Sequence, residues 1–376
     1  HTFEHASHVT ISMNKLINVK CESIHGTQDH QHSHIGSDLY ENPFISFMMV
    51  YSALVHDVGH TGKSNKILED QNLAAFQDCS APLAERLSIN IAVQALGRDE
   101  FSYLRNMIMP SIEDKIEFAK ILFCAILCTD VASQDTLKVV KERFDVAHTV
   151  NRRNSLQASR QNSFTAIRRN SFTAIRRNSL TAIRRNSLTA DRRNSQTQQS
   201  DNIPTNSDNS TIDPSISEHF HHRLSPLLPH LKYVHEVISL TDEDIAKNQD
   251  RFLMTKAELQ QYVAIEHLMQ VADVAHCMQG WENFIKWNYR LYRELMDCYK
   301  NNLMPEPSKN WAAGQIGFFN GYILPLAKRT EICCGLAKKF SLVRSAESNR
   351  LRWENEGQFI TAIFISAVQN GEDEKS

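Results

Sequence analysis

Pro-Phe-Ile-Ser-Phe-Met-Met-Val-Tyr-Ser-Ala-Leu-Val at 43–55 runs straight into His-Asp-Val-Gly-His-Thr-Gly-Lys-Ser-Asn at 56–65. The apolar run reads as a helix over Glu41–Val55 that ends in adjacent His56 and Asp57, with His60 one helical turn later. His1 and His5 repeat the same one-turn spacing. Asp273 sits in a second apolar run, Leu-Met-Gln-Val-Ala-Asp-Val-Ala at 268–275. A carboxylate inside an apolar helix survives burial only if it is paired, hydrogen-bonded or bound to a metal. Singly these signals are weak: the chain has 17 His, so one His pair at this spacing arises by chance, and a structural His on an apolar face rivals His56. Jointly, two imidazoles and two carboxylates from separate helices make a coordination shell for the divalent cation of a hydrolase.

Working outward, Ala81–Leu96, Asp114–Thr129, Thr255–Gln279 and Trp281–Asn301 also carry apolar residues three and four apart, with few Gly or Pro inside. Gly62, Gly97, Gly280 and Gly335 fall near expected helix ends, where Gly serves as a cap. Alternating strand patterns are almost absent, so the expectation is an all-α bundle. It is interrupted by an eight-residue repeat, Arg-Arg-Asn-Ser-Leu/Phe-Thr-Ala-Ile, whose serines are Ser155, Ser163, Ser171, Ser179, Ser187 and Ser195. A period of eight matches neither helix nor strand, and so few large apolar residues cannot offset the entropy of ordering. The chain therefore divides into 1–147 and 223–372, two segments of one domain, around a disordered insert at 148–222.

The net charge of −2 hides an asymmetry. Residues 152–195 hold eleven Arg and one Asp, so an insert of +10 is carried on a body of −12. The eight Cys include no Cys-x-x-Cys pair, which suggests reduced, mostly buried thiols and a cytoplasmic setting. No run approaches the ~18 apolar residues of a membrane span. The chain begins with a motif His rather than Met, so helices or an anchor ahead of His1 are expected to be missing.

The order His-x3-His, His-Asp-x2-His-x4-Asn, then a buried Asp resembles the catalytic domain of class I 3′,5′-cyclic nucleotide phosphodiesterases. Phe76-Gln-Asp-Cys-Ser80 with Glu85, Ile126-Leu-Cys-Thr-Asp130, Gln315-Ile-Gly-Phe318 and Tyr322-Ile-Leu-Pro-Leu326 extend the likeness. The resemblance implies an HD-domain, phosphodiesterase-like helical bundle and two divalent metal ions, Zn2+ with Mg2+ or Mn2+. It places His5, His56, Asp57 and Asp273 on the first metal, with Asp57 shared by the second. It makes His1 the general acid, a role suited to a side chain titrating near neutrality. His60 and Asn65 would brace the attacking water, supported by Glu85 and Asp130. Gln315 would read a purine edge, with the base sandwiched between Phe318 and Leu291. Departures exist: Thr2 and Thr61 replace an Asn and a Pro, Glu85 lies two residues beyond the usual spacing, and His276 stands where a base-contacting Asn is usual. The last leaves the choice between cAMP and cGMP open.

Arg-Arg-Asn-Ser followed by Leu or Phe resembles substrates of cyclic-nucleotide-dependent Ser/Thr kinases, whose acidic subsites pair with guanidinium groups. Six phosphates, each adding about −1.5 to −2, would cancel the insert's positive charge. A silent repeat expansion in a tolerated loop is the rival reading, and no nucleic-acid partner is expected. The function expected is metal-dependent hydrolysis of a purine 3′,5′-cyclic nucleotide to its 5′-monophosphate. The alternatives are another HD-type metal phosphohydrolase, or an inactive nucleotide-sensing domain that presents a kinase-substrate loop.

Overall fold

The structure is a computed structural model, and it describes residues 2–24, 42–71, 82–148, 247, 255–336 and 340–370. The helices are α1 (Phe3–Ile24), α2 (Pro43–Val55), α3 (Asn65–Gln71), α4 (Leu83–Leu96), α5 (Ser102–Ile108) and α6 (Ile112–Leu127). A helical stretch at 134–148 follows. Then come α7 (Lys256–Asp273), α8 (Trp281–Lys300), α9 (Trp311–Phe318), α10 (Leu324–Cys334) and α11 (Leu342–Asn370). Among the described residues there is no strand, so the all-α expectation holds. By Cα proximity, His1–Phe144 and Thr211–Ser376 make one unit and Asp145–Ser210 another. Residues 149–222, including all six repeat serines, lie outside the described residues, as do His1 and the segment Phe76–Ser80.

The helix starts follow local chemistry. Asn42 caps α2, its Oδ1 accepting the Phe44 amide at 2.9 Å, and Pro43 occupies the first turn where no amide is needed. Ser111 with Asp114 and Thr255 with Glu258 close reciprocal capping boxes on α6 and α7. α7 is the hub: it packs against α1, α2, α6 and α10. The largest fully buried side chains include Met13, Met48, Met49, Phe118 and Ile121 on the helices around it.

The expected helix Thr255–Gln279 is broken in the structure. α7 stops at Asp273, Val274 leaves helical geometry, and a 3-10 turn spans Ala275–Met278. Asn349 of α11 donates to the carbonyls of Cys277 (3.1 Å) and Gln279 (2.8 Å), which satisfies groups the break would otherwise orphan. Of the glycines expected to cap, Gly335 ends α10 in the left-handed region at φ 64°, whereas Gly97 caps α4 with ordinary helical angles. Just after Phe318 the helix widens, with the Leu324 amide bonded to the Phe319 carbonyl ahead of Pro325, which has no amide to give.

Candidate metal centre

α2 ends at Val55, and residues 56–59 form a turn closed by Val58 N–H to Val55 O (3.1 Å) and His60 N–H to Asp57 O (2.9 Å). Gly59 carries the reversal at φ 77°, a region L side chains avoid. His60 is therefore not one helical turn beyond His56, because no helix connects them. The turn leaves His56 and Asp57 at the end of α2, where α1 and α7 both approach. α1 contributes His5 and the last residue of α7 is Asp273.

Four atoms alternate around a quadrilateral. His5 Nε2 lies 3.1 Å from Asp273 Oδ1 and 3.4 Å from Asp57 Oδ2. His56 Nε2 lies 3.2 Å from Asp57 Oδ2 and 3.4 Å from Asp273 Oδ1. Four ligands on a cation at bonds of about 2.1 Å stand ~3.4 Å apart in a tetrahedron and ~3.0 Å apart as octahedral neighbours. The four edges fall in that interval. His56 Nδ1 is 2.9 Å from the Ala53 carbonyl, which can only accept, so a proton sits on Nδ1 and Nε2 is the nitrogen that faces the acids. That Nε2 is buried and makes no hydrogen bond among the described residues, although two carboxylates stand beside it. Buried nitrogen and paired acids around one point fit a divalent cation, with His5, His56 and Asp57 close enough to share it.

Charge balance among these four side chains agrees. Burial alone would lower the pKa of His56, but Asp273 and Asp57 raise it to about 10. Burial would raise both acids, yet His56 and His5 hold Asp57 and Asp273 below the usual carboxylate range. His60 accepts the Gly62 amide at Nδ1 (3.0 Å), and burial lowers its pKa against the pull of Asp57 and Glu294.

The supporting residues also converge. Asn65, at the start of α3, donates from Nδ2 to Glu85 Oε2 and to Asp130 Oδ2, each at 3.0 Å, and its Oδ1 accepts the Ala84 amide at 2.9 Å. One amide thus ties α3, α4 and the end of α6 together. Burial pushes Glu85 up to about 7, with Asp130 and Asp57 adding to the rise, and burial raises Asp130 as well.

Residues 1–201, just over half of the chain, match the family model for 3′5′-cyclic nucleotide phosphodiesterases. The chain belongs to this family. No curated protein matches it. Among solved structures it is similar to the phosphodiesterase domain of the Salpingoeca rosetta rhodopsin phosphodiesterase, at 14% identity over 99% of this chain and 77% of that one, with a TM-score of 0.47. A second structure, of the phosphodiesterase domain of the RhoPDE fusion protein from the same choanoflagellate, matches at 13% identity over 97% and 79%, with a TM-score of 0.48. The family is metal-dependent. Asp273 lies beyond the matched span, so the fold rather than the match brings it to His5, His56 and Asp57.

The expected base pocket of this phosphodiesterase is distributed over α8, α9 and the turn after Asp273. Gln315 is buried on α9, where its carbonyl accepts the Phe319 amide. Phe318 is half-buried and stacks on Tyr322 with centroids 5.4 Å apart, while Phe319 turns wholly into the core. Leu291 is 43% exposed on α8, open to a ligand on that face. Burial, with His5 and His8 nearby, lowers His276 to about 3, so its imidazole is neutral.

Sequence reasoning missed two residues of α8. Trp287 packs 5.5 Å from His5, 5.0 Å from His8 and 6.3 Å from His276, with the Arg290 guanidinium 4.7 Å over its ring. Glu4 joins α1 to the same helix through Lys286 (2.9 Å) and Arg290 (2.6 Å). Glu294 lies against Gly62 and acts on the charge of His60.

Proposed function

We propose that this phosphodiesterase hydrolyses purine 3′,5′-cyclic nucleotides, cAMP and/or cGMP, to 5′-monophosphates with two divalent cations. His5, His56, Asp57 and Asp273 would hold the first, zinc, and Asp57 would share the second, magnesium or manganese. When bound, the cations supply positive charge that activates a water and neutralises the phosphate. The observation that carries the reading is the quadrilateral of 3.1–3.4 Å between two imidazole nitrogens and two carboxylate oxygens.

The chain's own residues do the rest. His1 gives its proton to the departing 3′ oxygen, which must leave as an alcohol. His60 orients the attacking water, and Asn65 braces the neighbouring acids through Glu85 and Asp130. Gln315 pairs with the purine edge while Phe318 and Leu291 hold its faces. His276, neutral and next to Trp287, takes part in choosing between adenine and guanine. Residues 1–147 and 223–372 form the catalytic domain, and 148–222 an insert. Ser155, Ser163, Ser171, Ser179, Ser187 and Ser195 accept phosphate from a cyclic-nucleotide-dependent kinase, turning the insert from basic to neutral and altering turnover.

The test is hydrolysis of cAMP and cGMP by the metal-loaded chain, with and without chelator. Turnover lost to chelator and to Asp273→Asn supports the metal reading. A Gln315→Ala variant that raises KM for cyclic nucleotides, but not for a generic phosphodiester, supports the purine pocket. An unchanged ratio would favour another HD-type phosphohydrolase, and nucleotide binding by a fully metallated but inactive chain would favour the sensing domain. Replacing all six serines by Ala without effect on kinase-dependent turnover would end the regulatory part.

A further inference from the structure

We propose that Cys333 and Cys334, the last two residues of α10, form a vicinal dithiol clamp for a thiophilic ligand of the trivalent arsenical type. Their Sγ atoms are 3.6 Å apart. Consecutive side chains on a helix point about 100° apart around the axis, so neighbouring thiols ordinarily diverge. Here the helix ends at once: Gly335 takes the left-handed conformation, and its amide bonds the Glu331 carbonyl at 3.0 Å. Cys333 is half-buried with its sulfur 3.6 Å from the Thr330 carbonyl, while Cys334 is wholly buried. The fold thus offers one accessible nucleophile with a second sulfur sheltered directly behind it.

The spacing selects the chemistry. Two sulfurs on one pyramidal trivalent centre, at bonds of about 2.3 Å and an angle of about 100°, stand ~3.5 Å apart, close to the separation present. A disulfide needs sulfurs at about 2.05 Å and Cα atoms usually 4.4–6.8 Å apart, whereas consecutive Cα atoms sit at about 3.8 Å. The pair is therefore shaped to chelate rather than to bridge. With a hydrated arsonous acid, R–As(OH)2, two As–S bonds form and two As–O bonds break, and each thiol proton leaves with a hydroxide as water. Arsenic stays trivalent, so no oxidant or reductant is consumed. Cys333 reacts first and Cys334 closes the chelate intramolecularly, which makes the second bond fast and the adduct durable.

No other described pair matches. Cys124 on α6 and Cys128, which caps its end, are both engaged with Glu266, and Cys277 and Cys298 lie on different elements. The clamp also sits at a junction. Glu331 Oε1 accepts from Ser341 Oγ and Val343 N, each at 3.0 Å, fastening the start of α11 to the last turn of α10.

Phenylarsine oxide added to the metal-loaded full chain tests the clamp. One arsenic per chain by intact mass, with two thiols lost per arsenic, is the expected result. The adduct should survive excess 2-mercaptoethanol and be stripped by 1,2-ethanedithiol. Cys333→Ser, at a half-exposed position with its helical circular dichroism checked, should abolish monothiol-resistant binding, while Cys298→Ser should retain it. One thiol lost per arsenic, release by 2-mercaptoethanol, or undiminished resistant binding in Cys333→Ser would overturn the proposal.

Discussion

Loading the metal centre should be steeply pH-dependent, because the proton on His56 competes with the cation. Asp273 and Asp57 hold this imidazole protonated up to about 10 in the metal-free chain, despite burial that works the other way. Binding at pH 7 must expel that proton across three pH units, which costs about 4 kcal/mol at 1.36 kcal/mol per unit, a ~1000-fold weakening. The apparent association constant for zinc should then rise about tenfold per pH unit between 7 and 9, with one proton released per chain. Competition against a chromophoric chelator gives the slope, and calorimetry in buffers of different ionisation enthalpy counts the proton. Stability supplies an independent arm. A histidine whose pKa is raised by folding stabilises the folded state fully below about 6.5, and loses that contribution as pH climbs through about 10. The melting temperature of the chelated protein should fall across that window. In the loaded protein the cation replaces the proton, and the fall should be smaller. Zinc affinity flat from pH 7 to 9, with no proton released, would refute the placement of both acids around His56.

Three further perturbations probe the supports. Glu85, raised to about 7 chiefly by burial, makes the metal-free fold most stable below the unfolded value of 4.5, with stability declining as pH rises toward 7; Glu85→Gln should flatten that decline and stabilise the chelated chain at pH 8 by up to ~3 kcal/mol, as read from denaturant midpoints. Gly59→Ala should cost about 1–2 kcal/mol of stability through its left-handed backbone. It should also lower metal content measured by atomic absorption, because the new Cβ would lie 2.4 Å from Ile91 Cδ1 and displace the turn that aims His56 and Asp57. Glu266→Gln should destabilise by ~3–5 kcal/mol in thermal unfolding, because it removes a buried negative charge facing an arginine. The carboxylate is fully buried on α7 against Arg143, and Glu266→Leu combined with Arg143→Leu should recover much of the loss.

The chemistry of the centre was legible in the sequence because burial makes residue type informative. An Asp inside Leu-Met-Gln-Val-Ala-Asp-Val-Ala at 268–275 has few ways to exist, and His56-Asp57 closing a thirteen-residue apolar run has few more. The same constraint made the helices legible: α2, expected over Glu41–Val55, spans Pro43–Val55 with Asn42 as its cap. Geometry within the turns was not legible. His60 keeps the one-turn spacing of a helix, but Gly59 reverses the chain, and periodicity cannot see a positive φ. The break after Asp273 is likewise written elsewhere, in an asparagine of α11 that collects the freed carbonyls 70 and 72 residues away. Trp287 and Glu294 escaped notice because α8 alternates aromatic, charged and apolar residues as a half-solvated helix does, and only tertiary packing distinguishes the side that meets His5 and Gly62 from the side that meets water. Residue type thus reveals what must be compensated, and the compensating partner is found only where helices cross: His5 and Asp273, 268 positions apart, stand 3.1 Å from each other because α1 and α7 pack together, a fact no local window contains.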